Sequence, residues 1–185
     1  HGAVWDVRSD EVAIGDHVVT RDLVVHPGAV GIIALDNQDR VLLIRQYRHP
    51  VAAFLFEPPA GLLDTHKETA WECAQRELAE EAGLRARSWH VLIDFLNSPG
   101  GTSETLRCFL ARDLDVLPDG REHTGEAEEL HLPQAWVPLP EAVGLVLSGA
   151  IQNPTATNGI LAAAAHQRRD WRDLRPADSP WPVRN

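Results

Sequence analysis

The sequence predicts a mixed-sheet fold, α+β or an α/β/α sandwich, on three observations. Alternating and β-branched stretches dominate the first third of the chain. A single strongly marked helix interrupts them near residue 70. After further strands, the last third carries two segments of helical character.

In chain order, "VWDVRS" and "DHVVTRDLVVH" alternate apolar and polar residues and read as antiparallel strands. "GAVGIIALDNQDRVLLIRQYRHP" holds two β-branched runs joined by Asp36, Asn37, Gln38 and Asp39, residues that accept tight turns, which predicts a hairpin. Beyond Pro58-Pro59-Ala60-Gly61 a helix is expected from Thr69 to Ala82, stopped by Gly83. Its apolar arc, Trp71, Ala74, Leu78 and Ala82, would bury it against a sheet. Strands are expected at 88–97, 104–112 and 131–138, separated by the loops "SPGGTSE" and "LPDGREHTGEAEE". Helices are expected at 140–148 and 154–169, and a tail containing Trp and Pro should then end the fold.

The chain's 185 residues suit one domain, with room for a small appendage. Lys and Arg total 17 against 27 acids, so the net charge is 17 − 27 = −10, which disfavours a nucleic-acid surface. An anionic substrate would therefore need local positive groups or a divalent metal. No apolar run approaches the roughly 20 residues of a bilayer span, and the N-terminus shows no basic-then-apolar signal pattern. No membrane association and a cytoplasmic location are the expectations. Cys73 and Cys108 lack a CxxC spacing and are expected to be reduced and packed.

The predicted helix concentrates carboxylates. Residues three and four apart share a face, so Glu77 lies beside Glu80 and Glu81, and like charges at that spacing cost a few tenths of a kcal/mol per pair. Arg76 offsets part of this through Glu80, its i+4 neighbour. A one-sided carboxylate cluster is what Mg²⁺ or Mn²⁺ requires, since hard cations take oxygen ligands and keep waters. A merely solvated acidic face is the alternative.

Glu68, seven residues, then Arg76-Glu77-Leu78-Ala79-Glu80-Glu81-Ala82-Gly83-Leu84 resemble the signature of the Nudix hydrolases, G-x5-E-x7-R-E-U-x-E-E-x-G-U with U aliphatic. Gly61 departs from it: six residues, not five, separate it from Glu68. The resemblance implies a Nudix-type α/β/α sandwich that cleaves diphosphates with Mg²⁺. It carries Glu77 and Glu81 over as metal ligands, Glu80 as a further ligand or outer acceptor, and Arg76 with Glu68 as a supporting pair.

Pro99 falls 15 residues past Leu84. With "SPGGTSE", "RQYRHP", "FEPPAGLLD" and "WVPLPEAVGLVLSGAIQNPTATNGILAA", it resembles the ADP-ribose pyrophosphatase branch over residues 28 to 165. That likeness implies hydrolysis of ADP-ribose to AMP and ribose 5-phosphate, with the Ala60 carbonyl as an extra metal ligand. It also implies an N-terminal strand arm, residues 1–27, exchanged in a homodimer, a Nudix domain at 28–172 and a tail at 173–185.

Arg48 is the candidate cation for the diphosphate, Trp5 for stacking the base, and Glu57 and Glu104 for ribose hydroxyls, beside Pro99 and Gly100 of the branch loop. A catalytic glutamate on a mobile loop is implied within "HTGEAEELHL", where Glu126 is favoured and Glu128 and Glu129 remain open. Other nucleoside diphosphate sugars or dinucleotides are alternative substrates. A non-catalytic Nudix-fold ligand sensor is the alternative from another class.

Overall fold

A computed structural model of the chain describes residues 5–63, 67–121 and 132–184. The chain begins with a hairpin of its own, β1 (Asp6–Ile14) against β2 (His17–Val25), antiparallel along their whole lengths. Val7, Val12, Ile14 and Val18 of this hairpin are exposed. It is fastened to the body where Val24 N–H donates to Gly101 O and Val24 O accepts from Ser103 N–H.

The body is built on β3 (Ala29–Ala34), every residue of which is buried. The period-two alternation of a strand sends Val30 and Ile32 into one apolar layer and Ala29 and Ile33 into another. The first layer is closed by α1 (Ala70–Ala82) through Ala74, Leu78 and Ala82, the second by α2 (Leu139–Leu147) and α3 (Pro154–Gln167) through Leu139, Ala156 and Ile160. Burying Leu78 alone contributes about 2 kcal/mol. Helices on both faces of one sheet make an α/β/α sandwich.

That sheet also contains β6 (Ala60–Leu62), β7 (Leu84–Leu96), β8 (Thr105–Val116) and a short β10 (Arg175–Pro176). The order is β10-β7-β8-β3-β6, with β3 parallel to β8 and the other pairings antiparallel, so the sheet is mixed. A second sheet has the order β5-β4-β9, from β4 (Arg40–Arg48), β5 (Ala53–Glu57) and β9 (Gln134–Pro138).

The hairpin expected of residues 28–50 is the main correction. The turn forms as its residues suggest: the Asp36 carboxylate accepts from the Gln38 and Arg40 N–H groups. Yet β3 and β4 meet only at an isolated bridge, Leu35 with Val41, and then part into different sheets. β8 takes one edge of β3 along its whole length and β6 takes the other from Ala29 to Gly31, so β4 keeps only the bridge beside the turn. β5, β6 and β10 were not expected from the sequence, whereas the three helices lie within two residues of their expected bounds.

The tail expected to end the fold instead completes it. β10 extends the sheet beside β7, and Ala177 and Trp181 join the α1-side core. Arg107, only 3% exposed, donates to Ser179 O and Pro180 O, pairs with Asp94 and lies over the Trp181 ring. Arg175 also bonds Asp94. No helix among the described residues is long and apolar enough to cross a membrane.

Burial alone would raise the Asp94 carboxyl, but hydrogen bonds from Arg107 and Arg175 outweigh it and hold the group below the ordinary range. Asp94→Asn leaves the buried Arg107 without its charge partner and is expected to cost about 3 kcal/mol in urea unfolding at neutral pH. A depressed folded-state value means this stability is present above the ordinary carboxylate range and lost as the pH falls through the folded one. The gap between wild type and variant should therefore close below about pH 4. A gap unchanged down to pH 2 would show that the charge is not what clamps the tail.

Candidate active site

Helix α1 is set by local rules at both ends. Thr69 and Glu72 form a reciprocal capping box, and Gly83 at φ +67° supplies the left-handed stop, its N–H returning to Ala79 O and Leu78 O. With the apolar arc fixed on the core, the acidic face turns toward β6.

Two carboxylates of that face are nearly enclosed, Glu77 at 8% and Glu81 at 6% exposure. Glu81 Oε2 accepts from the Ala60 N–H at 2.9 Å. Glu77 presses on the next residue, Gly61, where an added Cβ would lie 2.1 Å from Glu77 Oε1. Gly61 is therefore required by close approach, not by a special backbone angle. In the ladder Ile32 N–H donates to Pro59 O and Leu63 N–H to Gly28 O, so antiparallel alternation points both Ala60 groups away from β3. Its N–H meets Glu81, and its carbonyl faces the same side.

Arg76 organises the rest. Its guanidinium donates to Glu68 Oε1 at 2.8 Å, Glu77 Oε1 at 2.7 Å and Glu80 Oε2 at 2.8 Å. Hydrogen bonds to Glu68, then the charge of Glu77 and the bond to Glu80, raise the guanidinium pKa against the opposing effect of burial. Four carboxylates, Glu68, Glu77, Glu80 and Glu81, are thus gathered about this arginine and the Ala60 N–H. Cys73, beneath them, is pushed up to about 12 by burial and by Glu77, so it stays a thiol.

This donor set fits a hard divalent cation. Among the described residues no three His, Cys, Asp or Glu side chains converge as a complete cage. Glu77, Glu81 and the Ala60 carbonyl instead offer a partial shell, the arrangement suited to an ion that keeps waters and takes substrate phosphates.

Ala60 and Gly61 also line a cavity of about 800 Å³, so β6 separates the carboxylates from that space. The cavity gathers Trp5, Arg48, Glu57 and Glu104 from four segments. Arg48 is held in a two-pronged pair with Glu57, Nε to Oε1 at 2.9 Å and a terminal nitrogen to Oε2 at 2.6 Å, and Glu57 is 2% exposed. Glu57 thus aims Arg48 as well as lining the wall.

His26, absent from the expected set, also lines the cavity. Its ring stacks on Trp5 and its Nε2 stands 3.5 Å from Glu104 Oε1. Burial lowers its pKa, against the pull of Glu104. A lone histidine at a strand end carries no sequence signal of such a place. Asn153, Pro154 and Thr155 at the start of α3 line the cavity too; their capping pattern was legible but not their position.

Pro99 and Gly100 lie at the exposed tip of the turn after β7, outside the lining, which takes Asn97 and Ser98 from that turn. Glu126, Glu128 and Glu129 lie outside the described residues. The flanks of their segment converge on α1: Arg121 donates to Leu132 O, and Gln134 Nε2 to Glu81 O.

Comparison with known proteins matches the NUDIX domain over residues 25–157. The chain belongs to the Nudix family. It is 39% identical over 181 residues to the ADP-ribose pyrophosphatase of Mycobacterium tuberculosis, covering 97% of this chain and 86% of that protein. It is 34% identical over 160 residues to the ADP-ribose pyrophosphatase of Bacillus subtilis, covering 86% and 84%. A crystal structure of an ADP compounds hydrolase superposes with a TM-score of 0.70 at 22% identity, over 91% of this chain and 97% of the other, which supports the fold.

Nudix hydrolases generally depend on a divalent metal, and the Gly61–Glu77 contact offers a test in this chain. Gly61→Ala must displace the end of a flexible side chain, not backbone, so the melting temperature should fall by only a few degrees. Divalent-metal affinity, measured by calorimetry, should fall about tenfold or more as Glu77 is pushed aside. Unchanged affinity would mean that Glu77 is not a ligand.

Proposed function

We propose that this chain is a Mg²⁺-dependent hydrolase of the ADP-ribose diphosphate bond, releasing AMP and ribose 5-phosphate, with Mn²⁺ able to substitute. One observation carries the reading: a cluster of four carboxylates gathered about one arginine backs onto the strand that floors a cavity bearing an arginine and an indole. The two ADP-ribose pyrophosphatases similar over most of the chain support the choice of substrate.

Glu77, Glu81 and the Ala60 carbonyl would hold Mg²⁺, and the bound ion supplies positive charge against the diphosphate as negative charge grows on its oxygens. The protein's own groups do the rest. Glu57 orients Arg48 toward the same diphosphate, Trp5 offers a flat face to adenine, and Glu104 accepts from ribose hydroxyls. Glu126, or failing it Glu128 or Glu129, takes a proton from the water that attacks phosphorus as the bridging P–O bond breaks. Glu80, engaged by Arg76, stands behind the ligands and not among them. We also assign residues 1–27 to a strand arm whose exposed valines and isoleucine suit exchange in a homodimer, 28–172 to the Nudix domain and 173–185 to the tail.

Comparing kcat/KM for ADP-ribose, ADP-glucose, GDP-mannose and NADH should place ADP-ribose first, and any other leader sinks the substrate assignment. Glu81→Gln keeps an oxygen to accept the Ala60 N–H, so the fold should hold while kcat drops by at least about 10²-fold. Wild-type kcat in that variant would leave the carboxylates as a solvated face. Replacing Glu126, Glu128 and Glu129 singly by Gln in the same assay should single out one large loss.

A further inference from the structure

His26 is held more tightly than a bystander in the cavity wall needs to be. Its backbone N–H donates to Ser103 Oγ at 2.9 Å, and its Nδ1 accepts from the Gly28 N–H at 2.9 Å. With Nδ1 serving as acceptor, the neutral ring carries its proton on Nε2, the nitrogen that faces Glu104 Oε1 at 3.5 Å. The flat of the ring stacks on the Trp5 indole, centroids 4.3 Å apart and planes 20° from parallel. Among the described residues this is the one aromatic stack Trp5 makes. The imidazole is 8% exposed, whereas the indole it supports is 41% exposed.

Each contact leads to a different segment. Trp5 precedes the first strand of the arm, Gly28 opens the central sheet, and Ser103 and Glu104 lie in the turn before β8. Trp5, His26 and Glu104 all line the same cavity as Arg48 and Glu57. A half-exposed indole at the end of an arm has few contacts to orient it, and a short carboxylate in a turn is similar. One rigid ring that touches both supplies the orientation, and so lowers the entropy lost when a flat ligand group docks.

We infer that His26 is a positioning residue for substrate binding: it unites the Trp5 indole and the Glu104 carboxylate into one preformed wall that receives the nucleoside end of the substrate. Its contacts are to Trp5, Gly28, Ser103 and Glu104, all of them away from α1, so it acts on binding and not on the chemical step. The inference rests on the nucleoside diphosphate reading of this cavity.

The test is steady-state hydrolysis of ADP-ribose by the full chain with Mg²⁺, with AMP and ribose 5-phosphate as product inhibitors that probe the two ends separately. His26→Ala should raise KM and the inhibition constant for AMP about tenfold, leaving kcat and the constant for ribose 5-phosphate within about twofold. His26→Phe keeps a flat ring under Trp5 and should recover the larger part of the loss. It also keeps the arm packed if the alanine variant proves too unstable to assay. An unchanged KM in both variants, or a ribose 5-phosphate constant that rises as much as that for AMP, overturns the inference. A wild-type chain that does not turn ADP-ribose over overturns the reading beneath it, and the inference with it.

Discussion

One guanidinium set among four carboxylates is the constraint on which the site depends. Glu77 and Glu81 are taken almost wholly out of water, and an isolated buried carboxylate is costly. Arg76 offsets part of that cost by holding Glu68, Glu77 and Glu80 together, and the Ala60 N–H offsets more at Glu81. The result is a dense set of carboxylates in a half-enclosed place. A helix chosen for stability alone would not carry it, since each like-charge neighbour costs a few tenths of a kcal/mol. The apolar arc through Ala74, Leu78 and Ala82 contributes several times that amount by burial, so α1 can tolerate the strain. Charge and not hydrophobicity therefore distinguishes this face of the helix.

That arrangement would be loose without β6. The strand is three residues long and contributes little packing, but its two edges do different work. One edge pairs with β3, the most buried strand of the molecule, and so inherits its rigidity. The other edge offers the Ala60 N–H to Glu81, while the strand's face at Gly61, bare of a side chain, admits Glu77. The placement of both glutamates is thus borrowed from the core through a single strand.

How much of this was legible follows from the range of the interactions. The carboxylate face, the capping residue Thr69 and the stop at Gly83 arise from neighbours three or four residues apart, and such spacing can be read directly. The Asp36–Asp39 turn was legible for the same reason. The partner of the strand after it was not, because that depends on β6 and β8, which arrive later in the chain to take the two edges of β3. Arg107 looked like an ordinary strand residue, and only the distant Ser179 and Pro180 carbonyls make it a buried clamp. His26 is hidden in the same way, its meaning lying in Trp5, Ser103 and Glu104. Pro99 marked the right turn, although Asn97 and Ser98 are the residues of it that reach the cavity.

The same division of range explains why a diphosphate-cleaving signature says little about the group attached to the diphosphate. The cavity floor is β6, backed by α1, and the two are close in sequence and locked by local contacts. Its walls come from residue 5 and the turn at 97–104, joined through His26, and separately from the β4–β5 pair and the start of α3. A change in any one wall alters the space available to a base or sugar and leaves the distance from Glu81 to Ala60 untouched. Substitutions at contacts that share no partners act nearly independently, so walls can drift among substrates while the floor stays fixed. Two contacts tie other parts of the chain to α1 itself: Arg121 lies beside Gly83, and Gln134 bonds the Glu81 carbonyl, so substitutions at either are coupled to the helix that carries the carboxylates.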